Sequence, residues 1–419
     1  MKILVVGSGG REHAILWKLK QSPRVKELYC APGNGGISEI ARLVPVGATD
    51  VEGITSFAGE NKIDLVVVAP DDPLAAGMVD ALADAGIRAF GPDRKAAMIE
   101  SSKVFAKNLM KKYNIPTARY EVFDNSDEAR EYIKTVPFPV VVKADGLALG
   151  KGVIICNNEK EALDAVSAIM EERKFGQAGK RIVIEEYMTG PEVSVLAFTD
   201  GKTIVPMVSS QDHKRAYDGD KGLNTGGMGT LAPSRYYTED IHKKCMETIY
   251  LPTINAMKSE GRPFKGVLFF GLMLTNDGPK VLEYNARFGD PEAQVVLPLL
   301  ENDLLEIFEA IIDGKLDTIN IRWKQSAAVC VVLASGGYPE KYEKGYEIKG
   351  LDKAAENPDI IIFHAGTKKE KGKFLTNGGR VLGVTAIAEN LDNARQKAYA
   401  AVSCISFKDM HYRKDIGIK

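Results

Sequence analysis

The sequence predicts a protein of two to four domains that begins with a parallel α/β fold and ends with an α+β unit, and three observations support this. The chain has 419 residues, and one hydrophobic core rarely extends beyond roughly 250–300 residues. In the first hundred residues, short apolar runs alternate with segments of helical spacing, which is typical of parallel β-α-β units. From residue 326 a last set of strands and helices runs to the end.

Composition excludes several classes of protein. Apolar residues make up 45%, charged residues 26%, and the net charge is −1, so we expect neither nucleic acid nor a membrane as a partner. The five cysteines form no pattern typical of a disulfide framework or a zinc site. No apolar run reaches the roughly 18–20 residues of a membrane span, and the chain opens directly on a strand. We therefore expect a cytoplasmic protein.

The N-terminal elements follow from apolar spacing. Residues 2–7, 25–32 and 64–70 are predicted strands, and residues 11–21 and 75–86 are predicted helices. Residues 95–114 have the pattern of one long helix that ends at an Ile-Pro-Thr turn. Glycine and proline follow the strands, where parallel sheets place their ligand-binding loops.

The first glycine-rich loop, GSGGREH (7–13), joins the first strand to the first helix. It approaches the dinucleotide motif G-x-G-x-x-G, but Glu12 occupies the third glycine position, which weighs against a nicotinamide site. The backbone N–H groups of such a loop suit a phosphate. A packing turn without a ligand is the alternative.

The second glycine-rich loop, KADGLALGKG (143–152), lies between predicted strands 138–146 and 149–157. Only three residues separate Gly146 from Gly150, so it is not a Walker A loop. We interpret it as a flexible flap whose N–H groups close over phosphates, with Lys143 adding a cation. An ordinary hairpin is the alternative.

The segment EYNARFGDPE (283–292) carries the strongest chemical signal. It ends a predicted hairpin that spans residues 265–292, whereas residues 216–233 are predicted to be a long loop. In a strand, Glu283, Asn285 and Arg287 share one face. A carboxylate and an amide oxygen suit Mg²⁺, and a guanidinium suits a carboxylate or a phosphate. The alternative is a surface strand with salt bridges.

Taken together, ten motifs resemble those of the glycinamide ribonucleotide synthetase family, in the ATP-grasp superfamily. They are GSGGREH, PGN, KADGLALGKG, IEEY, SQDHKRAYDGD, NTGGMG, EYNARFGDPE, HAGTK, TNGGRVLGVTA and RKDIG, and they extend from residue 7 to residue 417. The resemblance implies an ATP-dependent ligase of purine biosynthesis that joins glycine to 5-phosphoribosylamine through a glycyl phosphate. It also implies ATP and Mg²⁺, with Mn²⁺ as a possible substitute, and a monomer.

The resemblance further implies a domain organisation. Residues 1–100 would be a pre-ATP-grasp substrate-binding domain, residues 101–325 an ATP-grasp region, and residues 326–419 the C-terminal α+β domain. A mobile flap subdomain would occupy about 117–190 of the ATP-grasp region, with ATP between the flap and the main body.

Site residues follow from the same resemblance. Implied ATP contacts are Lys103, Lys143, Gly150, Lys151, Gly152, Glu185, Glu186, Tyr187, Met188, Glu192, Arg215 and Asn224. Within that set, residues 185–188 would contact adenine through main-chain groups, and Glu192 would hold the ribose. Glu283 and Asn285 are implied metal ligands. Arg287 and Asp212 would hold glycine, and Arg287, Asp212 and Lys143 are the implied catalytic residues. Gly9, Gly10, Asn34 and Asp71 would hold phosphoribosylamine.

The sequence departs from the family pattern at several positions. Asp71 stands where the family usually has a glutamate, Leu149 replaces an alanine in the flap, and Leu223 replaces a proline before Asn224. Two alternatives remain at this point: a different ATP-grasp carboxylate–amine ligase, and a non-catalytic nucleotide-binding regulator. The intact Glu283/Asn285 pair and Lys143 argue against the regulator.

Overall fold

A computed structural model describes residues 1–147 and 152–418. Its first part is a parallel sheet, as predicted. The strands are β1 (Lys2–Gly7), β2 (Glu27–Pro32), β3 (Arg42–Leu43), β4 (Leu65–Val68) and β5 (Ala89–Phe90), and the helices are α1 (Gly10–Leu19), α2 (Val51–Glu60), α3 (Asp71–Ala76) and α4 (Met78–Asp84). The strand order is β3-β2-β1-β4-β5. Leu4 and Val6 belong to one hydrophobic cluster and Ile3 and Val5 to another, because successive strand residues face opposite sides of the sheet.

The carboxyl ends of the central strands lie side by side. The register pairs Gly7 of β1 with Pro32 of β2, and Val6 with Val68 of β4. The loops that follow these strands therefore begin at one edge of the sheet, where ligands of parallel sheets usually bind. Gly9, Asn34 and Asp71 are thereby placed on three neighbouring loops.

Two segments that were each predicted as one helix are broken in two. Residues 95–114 form α5 (Arg94–Ser101) and α6 (Lys103–Lys112), because Ser102 is extended and its side chain caps α6 by accepting from the Phe105 N–H. The predicted helix over 75–86 is divided between α3 and α4, since Gly77 has a φ of 88°. In both cases apolar spacing continues through the break and conceals it.

The central region, residues 120–285, contains four α-helices and twelve strands in its described part. They are β6 (Tyr120–Phe123), α7 (Ser126–Ile133), β7 (Val140–Ala144), β8 (Val153–Cys156), α8 (Glu159–Val166), β9 (Ile182–Glu186), β10 (Glu192–Asp200), β11 (Ile204–Pro206), β12 (Gln211–Asp212), β13 (Arg215–Tyr217), β14 (Lys221–Asn224), β15 (Gly229–Ala232), α9 (Glu239–Cys245), α10 (Leu251–Ser259), β16 (Lys265–Thr275) and β17 (Gly278–Asn285).

Two antiparallel sheets form the framework of this region. One has the order β6-β9-β7-β8 and the other β11-β10-β16-β17. The predicted strand pair around the glycine-rich flap is confirmed as β7 and β8, and the predicted hairpin over 265–292 as β16 and β17. The sheets meet where Thr117, just before β6, bridges to Val281 of β17.

The prediction of a long loop over 216–233 is wrong. Its first part is the β13–β14 hairpin, and its last part, β15, pairs with a C-terminal strand. Gly229 allows this pairing, because its φ is 158° and a side chain there would collide with Ile416 and with the backbone of Cys330. Four buried residues with glycine at the start are too few to show a strand pattern in the sequence.

The C-terminal part is an α+β unit, as predicted. It follows α11 (Ala293–Leu299) and α12 (Leu304–Ile312), and it consists of β18 (Ala327–Ala334), α13 (Leu351–Ala354), β19 (Ile360–His364), β20 (Thr367–Glu370), β21 (Lys373–Thr376), β22 (Arg380–Ala388) and α14 (Leu391–Val402). Its main sheet has the order β12-β15-β18-β22-β19, so two strands from the central region complete it. Over the described part of the chain, we find no helix with the length and apolarity that a membrane crossing needs.

Candidate active site between the two central sheets

Lys143, the predicted phosphate ligand on β7, lies where the two central sheets approach each other. Its Nζ is 3.0 Å from Glu185 Oε1 and donates to the carbonyl of Leu282 on β17 over 3.3 Å. Glu185 Oε2 is 3.0 Å from Nζ of Lys107, which also donates to Thr117. The Glu185 side chain therefore holds two lysines. This arrangement is compatible with the prediction that main-chain groups around residue 185 contact the base.

Lys107 was not predicted from the sequence. It lies one helical turn after Lys103 on α6, and the four-residue spacing of the two lysines is the signal that could have identified it. Lys103 Nζ donates to the carbonyl of Gly146 over 2.8 Å, at the start of the glycine-rich flap. Burial lowers the pKa of Lys103 and lowers that of Lys107 to about 8.

The flap itself is described only at its two ends. Gly146 has a φ of 142°, and Gly152 accepts a backbone hydrogen bond from Ala144 over 2.8 Å. The predicted ligands Gly150 and Lys151, and the Leu149 departure, lie outside the described residues.

The predicted base-binding segment leaves β9 at Glu186 and enters β10 at Glu192. Glu186 pairs with Arg119 Nε over 2.6 Å, so its side chain is occupied. Tyr187 is exposed and Met188 is buried, and both lie beyond the last residue of β9. Backbone groups at such a strand end are free of the sheet ladder and suit the edge of a planar base.

Glu283 and Asn285, the predicted metal ligands, lie on β17 with side chains on one face. Glu283 is surrounded by cations: burial opposes its ionisation, but these cations outweigh burial and lower its pKa. The cations are Lys214, Lys143, Lys103 and Arg287. One carboxylate and one amide oxygen fit Mg²⁺, which commonly takes one or two protein oxygens and completes its shell with substrate phosphates. Within 1–147 and 152–418 no cluster of three or more His, Cys, Asp or Glu side chains forms a metal site.

Lys214 connects the predicted ribose ligand to the predicted metal ligand. Its Nζ forms an ion pair with Glu192 and lies 3.6 Å from Glu283 Oε1. Burial opposes the charge of Lys214, yet Glu192 and Glu283 raise its pKa. The lysine therefore stays charged at the point where the nucleotide and the metal are expected.

Arg287 follows β17 and is held by three acceptors. Its Nη2 lies 2.9 Å from Glu100 Oε1 and 3.2 Å from Asn285 Oδ1, and its Nη1 donates to the Phe288 carbonyl over 3.2 Å. Its Nε is buried and, within the described residues, has no partner. This N–H is therefore available to donate to a carboxylate or phosphate oxygen of a substrate.

Asp212, the other predicted glycine ligand, lies on β12. Burial and the nearby Glu292 raise its pKa well above the usual range, and Lys214 and Arg380 oppose that shift. No hydrogen bond or ion pair joins Asp212 to Arg287 in the described part of the chain. The two predicted glycine ligands thus face the same cluster of charges without touching.

The predicted phosphoribosylamine loops lie close to the segment that follows β17, where Arg11 donates to the Phe288 carbonyl over 3.1 Å. The Gly9 N–H donates to Glu12 over 2.5 Å, and a side chain at Gly10 would collide with Gln294. Asp71 begins α3 and lies near enough to Glu100 to raise the pKa of that carboxyl group. These loops therefore adjoin the segment that carries Arg287.

Asn34, another predicted phosphoribosylamine ligand, makes four hydrogen bonds through its side chain. Its Nδ2 donates to the carbonyls of Ser8 and His364, over 2.8 and 2.9 Å, and its Oδ1 accepts from the N–H groups of Gly36 and Ile37. With all these bonds in place the amide has little capacity left for a ligand. The side chain thus fixes the shape of the loop, and substrate binding at Asn34 stays a prediction.

Arg215 and Asn224, the last predicted ATP ligands, face each other in the β13–β14 hairpin. The C-terminal segment holds this hairpin: Arg413, only 1% exposed, donates to the Arg215 carbonyl over 3.2 Å and pairs with Asp220 over 2.9 Å. His411 Nε2 lies 2.7 Å from the Ala216 carbonyl. The motif at 413–417 thus has a structural explanation.

Comparison with known proteins agrees with this arrangement. Residues 1–100 match the N domain of phosphoribosylglycinamide synthetase, residues 101–293 match its ATP-grasp (A) domain, and residues 328–419 match its C domain. Phosphoribosylamine–glycine ligase from Caldanaerobacter subterraneus subsp. tengcongensis is 48% identical over 416 residues, which cover 99% of each chain.

Two solved structures extend the comparison. The crystal structure of phosphoribosylamine–glycine ligase from Thermotoga maritima matches with a TM-score of 0.85 and 34% identity, over 99% of this chain and 100% of that one. The biotin carboxylase domain of Hydrogenobacter thermophilus 2-oxoglutarate carboxylase, in complex with MgADP, ADP and bicarbonate, matches with a TM-score of 0.76 over 98% of this chain and 91% of that one. At 16% identity the second match concerns the fold alone.

The fold and the site together define an ATP-grasp enzyme, with two antiparallel sheets that bring lysines, a carboxylate and an amide to one place. More narrowly, the chain belongs to the phosphoribosylglycinamide synthetase family. The resemblance found in the sequence is thereby confirmed.

Proposed function

We propose that this site makes glycinamide ribonucleotide from glycine and 5-phosphoribosylamine by way of glycyl phosphate. Family membership over the whole chain makes the protein a phosphoribosylamine–glycine ligase of purine biosynthesis. In the proposed sequence, a glycine carboxylate oxygen attacks the γ-phosphorus of ATP, the bond from that phosphorus to the bridging oxygen breaks, and ADP leaves. The amine nitrogen then attacks the carbonyl carbon, the C–O bond to phosphate breaks, and the amine loses one proton.

The observation that carries this proposal is the set of charges around β17. Phosphoryl transfer needs positioning and charge neutralisation more than a protein nucleophile. Three lysines lie close enough to Glu283 to lower its pKa, namely Lys143, Lys103 and Lys214. All three can therefore contact the phosphates of one ATP molecule. Lys143 is the proposed catalytic cation, and residues 185–188, Glu192, Arg215 and Asn224 are the proposed contacts for the rest of ATP.

Mg²⁺ fits the Glu283 and Asn285 oxygens, and these two residues would hold it, with Mn²⁺ as a possible substitute. When bound, the ion supplies positive charge that neutralises the phosphate oxygens during transfer. The protein side chains contribute the remaining charge and fix the positions of the substrates.

Glycine is proposed to bind through its carboxylate to Arg287, whose Nε has no partner among the described residues. Asp212 is the proposed acceptor near the glycine amine. Gly9, Gly10, Asn34 and Asp71, on the loops of the N-terminal sheet, would hold phosphoribosylamine.

The wider organisation is part of the same proposal. The three domains would be 1–100, 101–325 and 326–419, with the flap subdomain over about 117–190. We further propose a cytoplasmic monomer that acts on small molecules and binds neither nucleic acid nor membranes.

Omitting each substrate in turn tests the reaction. ADP release should require Mg·ATP, glycine and freshly generated phosphoribosylamine together, because each intermediate has to be consumed by the next substrate. Release that depends on bicarbonate instead of glycine would contradict the proposal and favour a carboxylase. ADP release with ATP and glycine but without phosphoribosylamine would show that the site does not protect glycyl phosphate from hydrolysis.

The role of Arg287 is tested by Arg287→Lys. Lysine cannot reproduce a planar contact with two carboxylate oxygens, so the KM for glycine should rise and kcat should fall, whereas the equilibrium Kd for ATP without glycine should change little. Steady-state kinetics with varied glycine, beside an ATP titration, will measure both. Weakened ATP binding with an unchanged glycine dependence would make Arg287 a phosphate ligand, and the glycine site would then have to lie nearer Asp212.

A further inference from the structure

Glu100 is a buried carboxylate that joins the N-terminal part of the chain to the end of β17. It lies in the last turn of α5 and is 8% exposed. Its Oε2 accepts from the Ala286 N–H over 2.7 Å, and its Oε1 is 2.9 Å from Arg287 Nη2. One side chain therefore fixes both the backbone before Arg287 and the guanidinium itself.

The environment of Glu100 is costly for a carboxylate. Burial and, to a smaller extent, Asp71 raise the pKa of Glu100 to about 7, although Arg287, Arg11 and the Ala286 N–H favour the ionised form. Lys103 also lies within electrostatic range. Replacing a buried ion pair by apolar residues is often neutral or stabilising, so such a pair is weak support for a purely structural role. Ionisable groups with strongly shifted pKa values are concentrated at functional sites.

The bonds around Arg287 show what Glu100 can do there. Nη2 of Arg287 donates to Glu100 and Asn285, and Nη1 donates to the Phe288 carbonyl, so this end of the guanidinium is fixed. Nε, by contrast, has no hydrogen-bond partner within the described residues. If Glu100 lost its charge, the neutral amide of Asn285 would be the remaining protein group that holds Nη2 in place. An arginine with one acceptor fewer has more freedom to turn away from a carboxylate.

We propose that Glu100 is a positioning residue that directs the Arg287 guanidinium toward the carboxylate of glycine. The proposal rests on the proposed function, since it assumes that Arg287 binds glycine. Glu100 does not touch the substrate, and its effect is transmitted through Arg287 and through the Ala286 N–H. Asp71, on a loop proposed for phosphoribosylamine, also lies near Glu100. The contact between Glu100 and Arg287 therefore connects the proposed glycine site to that loop.

The variant Glu100→Gln tests this role, because it keeps an oxygen for the Ala286 N–H and removes the charge that faces Arg287. A hydrogen bond to a charged group contributes about 1.5–3 kcal/mol, so the KM for glycine should rise roughly 10- to 100-fold. The Kd for ATP without glycine should remain within about twofold. In the wild type, kcat/KM for glycine should fall as the pH drops below about 7, because Glu100 takes up a proton. The variant should lack this decline.

A matched control separates positioning from packing. Asp200 is also buried and accepts from the N–H groups of Lys202, Thr203 and Leu316, away from the site. Asp200→Asn should lower the unfolding temperature without changing the KM for glycine. Glu100→Gln should raise the KM for glycine, whereas its unfolding temperature should also fall, because the buried Arg287 guanidinium loses its charged partner. The KM for glycine and its pH profile, and not the unfolding temperature, therefore decide the role of Glu100.

Two outcomes would overturn the proposal in different ways. If Glu100→Gln lowers the unfolding temperature and leaves the KM for glycine and its pH profile unchanged, while Arg287→Lys raises that KM, Glu100 is structural and the proposed function stands. If neither variant changes the glycine dependence, the glycine site itself is misplaced, and the role of Glu100 fails with it.

Discussion

Replacing Glu283 with alanine should lower Mg²⁺-dependent turnover by about 10²–10³-fold or more, comparable to the loss of one main electrostatic stabiliser. The protein should remain folded, because the Glu283 side chain is partly exposed and Lys214 keeps its ion pair with Glu192. ADP formation at increasing Mg²⁺ concentrations, with thermal unfolding measured on the same samples, will test this. Asn285→Ala should act in the same direction with a smaller effect, since an amide carries no charge.

The conservative variant Glu283→Gln sharpens the test. It keeps an oxygen at this position but removes the charge, so its turnover should lie between those of the wild type and Glu283→Ala. Titration with Mn²⁺ in the presence of ATP gives a readout independent of turnover and should show weaker binding in both variants. Near-normal activity of Glu283→Ala at limiting Mg²⁺ would show that the metal assignment is wrong.

Lys143→Met should reduce kcat by about 10²–10³-fold, because the cation proposed to neutralise the transferred phosphoryl group would be missing. Methionine occupies a similar volume without the charge, so packing between β7 and β17 should be largely retained. Single-turnover measurements of ADP formation at saturating ATP and glycine will separate the chemical step from weaker ATP binding.

Lys107→Met is the matched control for Lys143→Met. Both lysines lie 3.0 Å from Glu185, and both are almost fully buried, but only Lys143 also reaches Leu282 on the opposite sheet. Lys107→Met should therefore lower the unfolding temperature and affect kcat far less. If both variants lost the same activity, Lys143 would act by holding Glu185 and not by touching the nucleotide.

Much of the fold could be predicted from local sequence patterns. Buried parallel strands have continuous apolar runs, and the turn at 276–278 marks the β16–β17 hairpin, so both were found. The break between α5 and α6 at Ser102 could not be predicted, because the apolar spacing continues across it. The hydrogen bond from the Phe105 N–H to the Ser102 side chain, which caps α6, leaves no mark in that spacing. β15 was missed because its pairing with β18 depends on residues about a hundred positions away.

The candidate site could be predicted only where residue types form motifs. Glu283, Asn285 and Lys143 stand in such motifs, and the structure brings them close together. Glu100 and Lys107 lie in an ordinary helical pattern, where nothing local distinguishes a buried charge from a solvated one. Their contacts with Arg287 and Glu185 arise from the tertiary fold.

The sheet shared by the central and C-terminal regions has a consequence for how the chain acquires its structure. β12 and β15 are made well before β18 and β22, yet they complete one sheet with them. During synthesis, β15 therefore remains unpaired until β18, about a hundred residues later, has been made. A fragment that stops near residue 325 would keep this unpaired edge permanently, and exposed edges promote aggregation. A fragment of this kind is thus unsuited to expression as an independent module.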